Sequence, residues 1–273
     1  SCHAMTATIV RIALSVFRES VRDKVLYNLV AFAILLMGAS VLIGQLTAGQ
    51  DVKIIKDLGL AATSIFGTFI AIFIGIGLVS KEVERRSIYA LLAKPMTRTE
   101  FVLGKFAGLA LTLFVNLACM ALALYGVLAL MWAGSGMPLR ESWDTPALDP
   151  RLLIAIGMIY LQLLVITAIA ILFSTYSSAL LSAAFTFGLT IAGHFSTDLR
   201  NFDQVSEAPA VIALTRALYY VLPNLSTFDM KSRVVHGVAI PGSEIALAGL
   251  YAATYIALVL TAAVWIFSRR DFK

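Results

Sequence analysis

The chain has 273 residues, of which 60% are hydrophobic and 14% charged, with a mean hydropathy of +0.89. Soluble domains carry about 25% charged residues, so this composition excludes a water-soluble globular domain and describes an integral membrane protein. The net charge of +5 is read as a sign of membrane orientation rather than of nucleic-acid binding, because basic residues of membrane proteins collect on one side of the bilayer.

Residues 1–5, SCHAM, read as a tag remnant ahead of a single transmembrane domain over residues 6–273. Of the two cysteines, Cys2 lies in that remnant and Cys119 in an apolar run. No intrachain disulfide or thiolate metal site is expected from them. Along TATIVRIALSVFRESVRDKV, the apolar residues Ile9, Ile12, Ala13, Val16, Phe17 and Val21 recur at helical spacing, while Arg11, Ser15, Arg18, Glu19, Arg22 and Asp23 take the other side. This pattern predicts an amphipathic helix on the inner membrane surface. It serves either as an anchor for the first span or as an elbow that touches a cytoplasmic partner. No cleavable signal peptide is read, since the first long apolar run follows this helix and has full span length.

Six runs are long enough to cross a bilayer, which takes about 20 helical residues. They cover residues 25–46, 58–80, 106–133, 152–174, 179–197 and 245–267. The runs are continuously apolar rather than alternating, which predicts helices and not a β-barrel. The fourth and fifth are divided only by the turn STYSS, Ser174–Ser178. With the N-terminus inside, 13 Lys and Arg fall on inner segments and 8 on longer outer ones. The positive-inside rule then places both termini, and the connection between spans two and three, in the cytoplasm.

That connection, KEVERRSIYALLAKPMTRTEFVLGKF, carries six Lys or Arg and three Glu between two apolar spans. Glu82–Lys94 predicts a short helix with Ile88, Leu91 and Leu92 on one face, acidic residues near its start and Lys94 near its end, as the helix dipole favours. Pro95 disfavours continuing that helix. Thr97, followed three residues later by Glu100, predicts a capping box that opens the third span. The same composition also suits a solvated basic loop.

Asn116, Gln162, Thr167, Thr186 and Thr190 are polar residues within spans. They are candidates for a transport path or for interhelical hydrogen bonds. No Asp, Glu, Lys or Arg is expected mid-span, which disfavours an ion-driven carrier. In the second span, GTFIAIFIGIG (Gly67–Gly77) predicts a close helix contact, within the chain or across a dimer. Before the sixth span, APAVIALTRALYYVLPNL holds an apolar stretch too short to cross, which suits a re-entrant or interfacial piece. His194, Met230 and His236 lack the tight spacing of a metal site. No P-loop string G-x-x-x-x-G-K-[ST] occurs. No catalytic residues, metal or cofactor are therefore expected in this chain.

From Glu84 to Lys105, ERRSIYALLAKPMTRTEFVLGK resembles the connection between spans two and three of ABC-2 type permeases, the membrane subunits of type V ABC transporters. The branch it most resembles is that of multi-copper enzyme maturation, which includes nitrous-oxide-reductase maturation permeases. The elbow FRESVRDKVLYNL, the outer LPNLSTFDMK and the closing SRRDF extend the likeness over nearly the whole chain. The resemblance implies a permease subunit of an ATP-driven exporter in a bacterial inner membrane. Two permease chains, identical or closely related, would pair, and each would dock one of two cytoplasmic ATPase subunits. The docking element would be a coupling helix carrying Glu84, Arg85, Arg86, Ile88, Tyr89, Leu91, Leu92 and Lys94, with added contacts from STYSS and the elbow. Re-entrant helices before the last span would close the exit. The alternative is a membrane partner through which an ATPase moves a periplasmic accessory protein without transporting a substrate.

Overall fold

The computed structural model describes residues 2–44, 51–84, 97–135, 146–196 and 222–269, and these are helical with no strand among them. In chain order the helices are α1 (Cys2–Val21), α2 (Lys24–Gly44), α3 (Asp51–Glu84), α4 (Arg98–Ser135), α5 (Leu152–Ser174), α6 (Ala179–His194), α7 (Lys231–Val235) and α8 (Gly242–Arg269), with a 3-10 turn at Leu225–Phe228 before α7.

Among the described residues, four helices are long and apolar enough to cross a bilayer on their own: Val52–Gly77 of α3, Arg98–Gly134 of α4, Leu152–Ser174 and Gly242–Arg269. The pair α1 and α2, bent by 62° between Val21 and Leu26, makes a fifth candidate if taken as one span. The protein is thus all-helical and multi-pass. Six full-length spans were expected, and α6 departs from that expectation. Its 16 residues cover about 24 Å, less than a hydrocarbon core of about 30 Å.

α3 and α5 form the centre, with 72% and 67% of their apolar windows buried against 22% for α8. In lipid, apolar side chains gain little by leaving one apolar neighbour for another, so close backbone approach and van der Waals contact decide helix pairing. Gly67 of α3 illustrates this: a Cβ there would stand 2.6 Å from Leu163 of α5. Gly67 therefore serves a contact within the chain. Farther along, Gly75 faces Ala170, and Gly59 at the other end faces Leu124 of α4. α3 and α5 hence run parallel, with α4 antiparallel to both.

The predicted amphipathic face of α1 is the buried one. Val16 is fully enclosed and Ile9, Ile12, Ala13, Phe17 and Val21 are half-buried, while Arg11, Ser15, Arg18, Glu19 and Arg22 are exposed. Its neighbour is α4. A Cβ on Gly104 would meet Ile12 at 2.7 Å, and one on Gly108 would meet the Ala13 carbonyl oxygen at 2.6 Å. The spacing Gly-x-x-x-Gly clears one flank of α4 for α1.

Two helix boundaries correct the sequence reading. α3 begins at Asp51 rather than near Leu58, so Lys53 and Lys56 are helical. It also continues without a break through Glu84, where a separate coupling helix was expected to start at Glu82. Gly77 ends the apolar window, and the seven residues to Glu84 carry α3 about 10 Å farther. The third span opens at Arg98 as the capping box predicts. The Thr97 backbone N–H donates to Glu100 Oε2 at 2.8 Å, and the Glu100 N–H donates to Thr97 Oγ1 at 3.3 Å. α5 spans Leu152–Ser174 as expected.

Candidate functional site

The chain presents chemistry at three levels along the bundle: the Thr97 end, the interior polar residues, and the opposite, Lys56 end.

At the Thr97 end, Glu84 closes α3. Arg85, Arg86, Ile88, Tyr89, Leu91, Leu92 and Lys94 lie outside the described residues. What the structure fixes are the two helices that hold this connection, α3 ending at Glu84 and α4 starting at Arg98. Arg98 donates to the Phe267 carbonyl of α8 at 2.9 Å and also to the Ser268 carbonyl. Phe101 stacks on Phe267 with centroids 5.8 Å apart. One turn on, Lys105 is buried, its ammonium 5.4 Å from the Phe101 ring. The connection therefore enters a stiff junction of α4 and α8. The STYSS turn between α5 and α6 is closed by Thr175 Oγ1 donating to Leu172 O at 2.6 Å and Ser177 N–H to Phe173 O at 3.0 Å. Partial burial pushes the Tyr176 phenol up from its ordinary range.

In the interior, all five candidate path residues are buried, and most are occupied by their own helix. Thr167 donates to Leu163 O, Thr186 to Ser182 O, Thr190 to Thr186 O and Asn116 to Thr112 O, all at 2.7–2.8 Å and four residues back. A hydroxyl in an apolar helix finds its nearest acceptor on the preceding turn, so these groups present little unspent polarity to a path. Gln162 is the exception, since its amide reaches His194 Nε2 at 3.1 Å. His194 Nδ1 lies 2.8 Å from the Thr190 carbonyl. A carbonyl only accepts, so Nδ1 carries the proton and Nε2 accepts from Gln162. The structure thus joins Gln162, His194, Thr190 and Thr186 into one polar line between α5 and α6, and leaves Asn116 and Thr167 apart from it. Ser182 Oγ, at the foot of that line, is buried and has no hydrogen-bond partner among the described residues.

At the Lys56 end, buried and charged groups tie the loops to the bundle. Lys56 is wholly buried and donates to the Pro146 carbonyl at 2.7 Å. Tyr125 donates to Asp149 O at 2.8 Å, and Asp149 Oδ1 accepts from the Arg151 N–H at 2.9 Å at the start of α5. Arg151 also donates to Gly237 O at 3.0 Å. The segment from Pro223 to Val235 packs inward through Leu225, Phe228, Met230, Val234 and Val235, all buried. The Asn224 N–H donates to the Tyr251 hydroxyl at 2.8 Å, its Oδ1 accepts from Ser196 and Ser226, and Lys231 donates to Ser64 of α3 at 3.4 Å. Arg233 pairs with Glu244 at 2.5 Å. This segment seats over α3, α5 and α6. The apolar stretch expected to be re-entrant falls mainly on residues 208–221, outside the described residues. His236 is exposed and donates locally to Ser232 O, and no group of three or more His, Cys, Asp or Glu gathers among the described residues.

Sequence reasoning missed Lys56 and Arg98 as structural anchors. Lys56 precedes the span expected over residues 58–80, because charge near a span end ordinarily marks the boundary. Its signal was the pair Val52 and Ile55, three residues apart, leading into the apolar residues from Leu58.

A comparison with curated proteins returns no match. The family model for ABC-2 family transporter proteins matches residues 10–272, which includes all the helices from the greater part of α1 to the end of α8. The chain belongs to the ABC-2 transporter family and is a permease subunit of an ABC transporter, a partner of an ABC ATPase.

Proposed function

We infer that the connection from Glu82 to Lys94 is the element through which the partner ATPase moves this membrane domain. The observation that carries this is the extension of α3. It runs about 10 Å past its apolar window to Glu84, and α4 opens with a capped start at Thr97, so the charged sequence joins two helix ends on one side of the bundle. Ile88, Tyr89, Leu91 and Leu92 would supply anchor area in a cleft of the ATPase, and Glu84, Arg85, Arg86 and Lys94 would set orientation. ATP and Mg would be bound by the partner, since the sequence holds no P-loop.

The working assembly is two copies of this chain, or one with a close relative, bound to two ATPase subunits in a bacterial inner membrane. The chain crosses six times through α2, α3, α4, α5, α6 and α8, with both termini cytoplasmic. Support comes from the excess of Lys and Arg on the segments at the Thr97 end. In this arrangement α6 spans a locally thinned or funnelled region, and Pro223–Val235 closes the outer side. The direction is export. The likeness of residues 84–105 to maturation permeases makes the periplasm the destination and a periplasmic accessory protein a candidate receiver.

The test is co-expression with the cognate ABC ATPase, followed by native mass measurement and ATPase assay in proteoliposomes. A complex of two permease and two ATPase chains, with hydrolysis that depends on this chain, is expected. Hydrolysis indifferent to the permease would overturn the reading.

A further inference from the structure

α1 carries three lengthwise sectors, and one of them is committed to the bundle. At about 100° per residue, Ile9, Ile12, Ala13, Val16 and Ser20 gather on one side, where Gly104 and Gly108 of α4 receive Ile12, Ala13 and Val16. Beside that side runs an apolar line through Val10 and Leu14, 55% and 44% exposed, continued by the half-buried Phe17 and Val21. Roughly opposite the packed side, Arg11, Ser15 and Arg18 follow one another at helical spacing, and all three are exposed.

This polar line is chemically open. Arg18 has no hydrogen bond or ion pair among the described residues, and Arg11 uses only its Nε, on the Ala7 carbonyl at 3.3 Å. Ser20 donates to the Val16 carbonyl at 2.8 Å, as helical hydroxyls commonly do, whereas Ser15 makes no such bond. No carboxylate occurs between Arg11 and Arg18, and Glu19 stands about 100° round the helix from Arg18. Two guanidinium forks with a hydroxyl between them suit phosphate oxygens. The line stops a turn short of the α1–α2 bend, so Arg22, Asp23 and the part of α3 beyond Gly77 take no part in it.

Depth and direction say where the phosphate comes from. Gly104 immediately precedes Lys105, the last charged residue of α4 before an uncharged run to Ser135. α1 therefore lies against α4 where the span meets the headgroup layer. Since α4 crosses the bilayer, the side of α1 turned away from it points along the membrane plane rather than out of the bilayer. Neighbouring lipids fill that direction, with acyl chains against Val10 and Leu14 and phosphates against Arg11 and Arg18. An arginine line beside an apolar line is the arrangement of an interfacial helix on anionic lipid. A headgroup that balances its phosphate with its own ammonium offers no net charge to two unpaired cations. We propose that Arg11, Ser15 and Arg18 form a docking line for anionic phospholipids without a headgroup amine, of the phosphatidylglycerol type, at the edge of the bundle beside α4. The line requires only that the chain lie in a membrane. Its assignment to the inner leaflet rests on the orientation given under Proposed function.

The test uses the full chain with Cys2→Ser and Cys119→Ser, so that Ala7→Cys, one turn before Arg11, is the single labelling site. A fluorophore there is read in phosphatidylcholine nanodiscs that contain an equal small fraction of either phosphatidylglycerol or phosphatidylcholine with brominated, quenching acyl chains. Brominated phosphatidylglycerol is expected to be enriched at the label about fivefold over brominated phosphatidylcholine, roughly the weight of one cation at an anionic surface. The enrichment should shrink in about 1 M salt, where the Debye length is about 3 Å. Arg11→Gln with Arg18→Gln should make the two lipids quench alike and leave the thermal midpoint unchanged, since both side chains are exposed. Equal quenching in the chain that keeps both arginines, or a preference that survives in the double variant, would overturn the proposal. A surviving preference together with lost capture of the ATPase in a pull-down would give the line to the protein partner instead. Should the double variant fail to fold, the preference of the chain with both arginines and its loss in salt decide the matter. No ATPase enters the lipid measurement, so its failure and a failure of the coupling assay are distinguishable.

Discussion

The Arg98 guanidinium donates to the carbonyl of Phe267 at 2.9 Å and lies 6.0 Å from the centre of the same residue's ring. Arg98 begins α4, and a cation is poorly placed at a helix N-terminus. Its compensation comes from α8, whose last carbonyls lack intrahelical donors and carry the negative end of that helix dipole. One side chain thus caps the end of a helix 169 residues away.

Replacing that side chain should loosen the junction. Arg98→Ala is expected to lower stability by about 1–2 kcal/mol, read as a fall in the thermal midpoint of the detergent-purified chain. Insertion should be normal, and ATPase capture in a pull-down should change little. A variant with unchanged midpoint would remove the capping role.

Packing of α1 on α4 predicts an unequal pair. Gly104→Ala pushes against the Ile12 side chain, whereas Gly108→Ala meets the Ala13 carbonyl oxygen, which belongs to a backbone. Ile12 Cβ is fixed by its backbone and does not yield by rotating, but Gly104 meets one residue at 2.7 Å where Gly108 meets two at 2.6 Å, the Ala13 carbonyl oxygen and Val16 Cβ. Overpacking of this kind costs about 1–3 kcal/mol, so Gly108→Ala should be the more damaging and should release α1. Proteolysis near residues 2–21 would detect the release, and equal behaviour of the two variants would contradict it.

Lys56 is expected to be intolerant of substitution. Lys56→Met keeps much of the shape but leaves the Pro146 carbonyl without this donor, at a cost of about 1–3 kcal/mol for a buried group. The thermal midpoint should fall, and the 146–151 segment should gain amide hydrogen exchange. Unchanged exchange there would show that the Lys56 contact does not hold the loop.

The coupling assignment stands or falls on Tyr89→Ala with Leu92→Ala. Anchors of this kind contribute more than about 1 kcal/mol each, and rim charges less. The double variant should insert normally yet lose ATPase in a pull-down or uncouple hydrolysis in proteoliposomes. Normal binding and normal coupled hydrolysis would make the segment a basic loop.

Membrane orientation has its own test. Cysteines at Ser87→Cys and Ser206→Cys should be labelled from opposite sides. The experiment requires Cys2→Ser and Cys119→Ser, because the chain has two cysteines and Cys119 is free and exposed. Labelling of both from one side would reject six crossings with Asp198–Glu244 outside.

The sequence was most legible where a break is chemical. Pro150 and Arg151 before Leu152, and the hydroxyl cluster after Ser174, bound α5 at the expected residues, and Thr97 with Glu100 announced the start of α4. Charge misled where a long side chain could turn back to a carbonyl. Lys56 does so, and α3 begins seven residues before the expected Leu58. The interior threonines were legible as buried but not as spent. Their acceptors lie one turn back in their own helices, a geometry that any Thr in a helix can adopt and that no spacing reveals. Gln162 and His194 are 32 residues apart, and only the folding of α6 back along α5 brings them together.

The fit of α1 against Gly104 and Gly108 has a mechanical consequence. Ile12, Ala13 and Val16 occupy the space that a Cβ on either glycine would need, so neither helix can slide along the other without a collision. A displacement entering α4 at Thr97 would then carry residues 2–21 with it as a single rigid strut. The chain between Val21 and Leu26, already turned through 62°, is the joint left to flex. Motion delivered at one end of α4 would reach α2 as a change in that angle rather than as a translation.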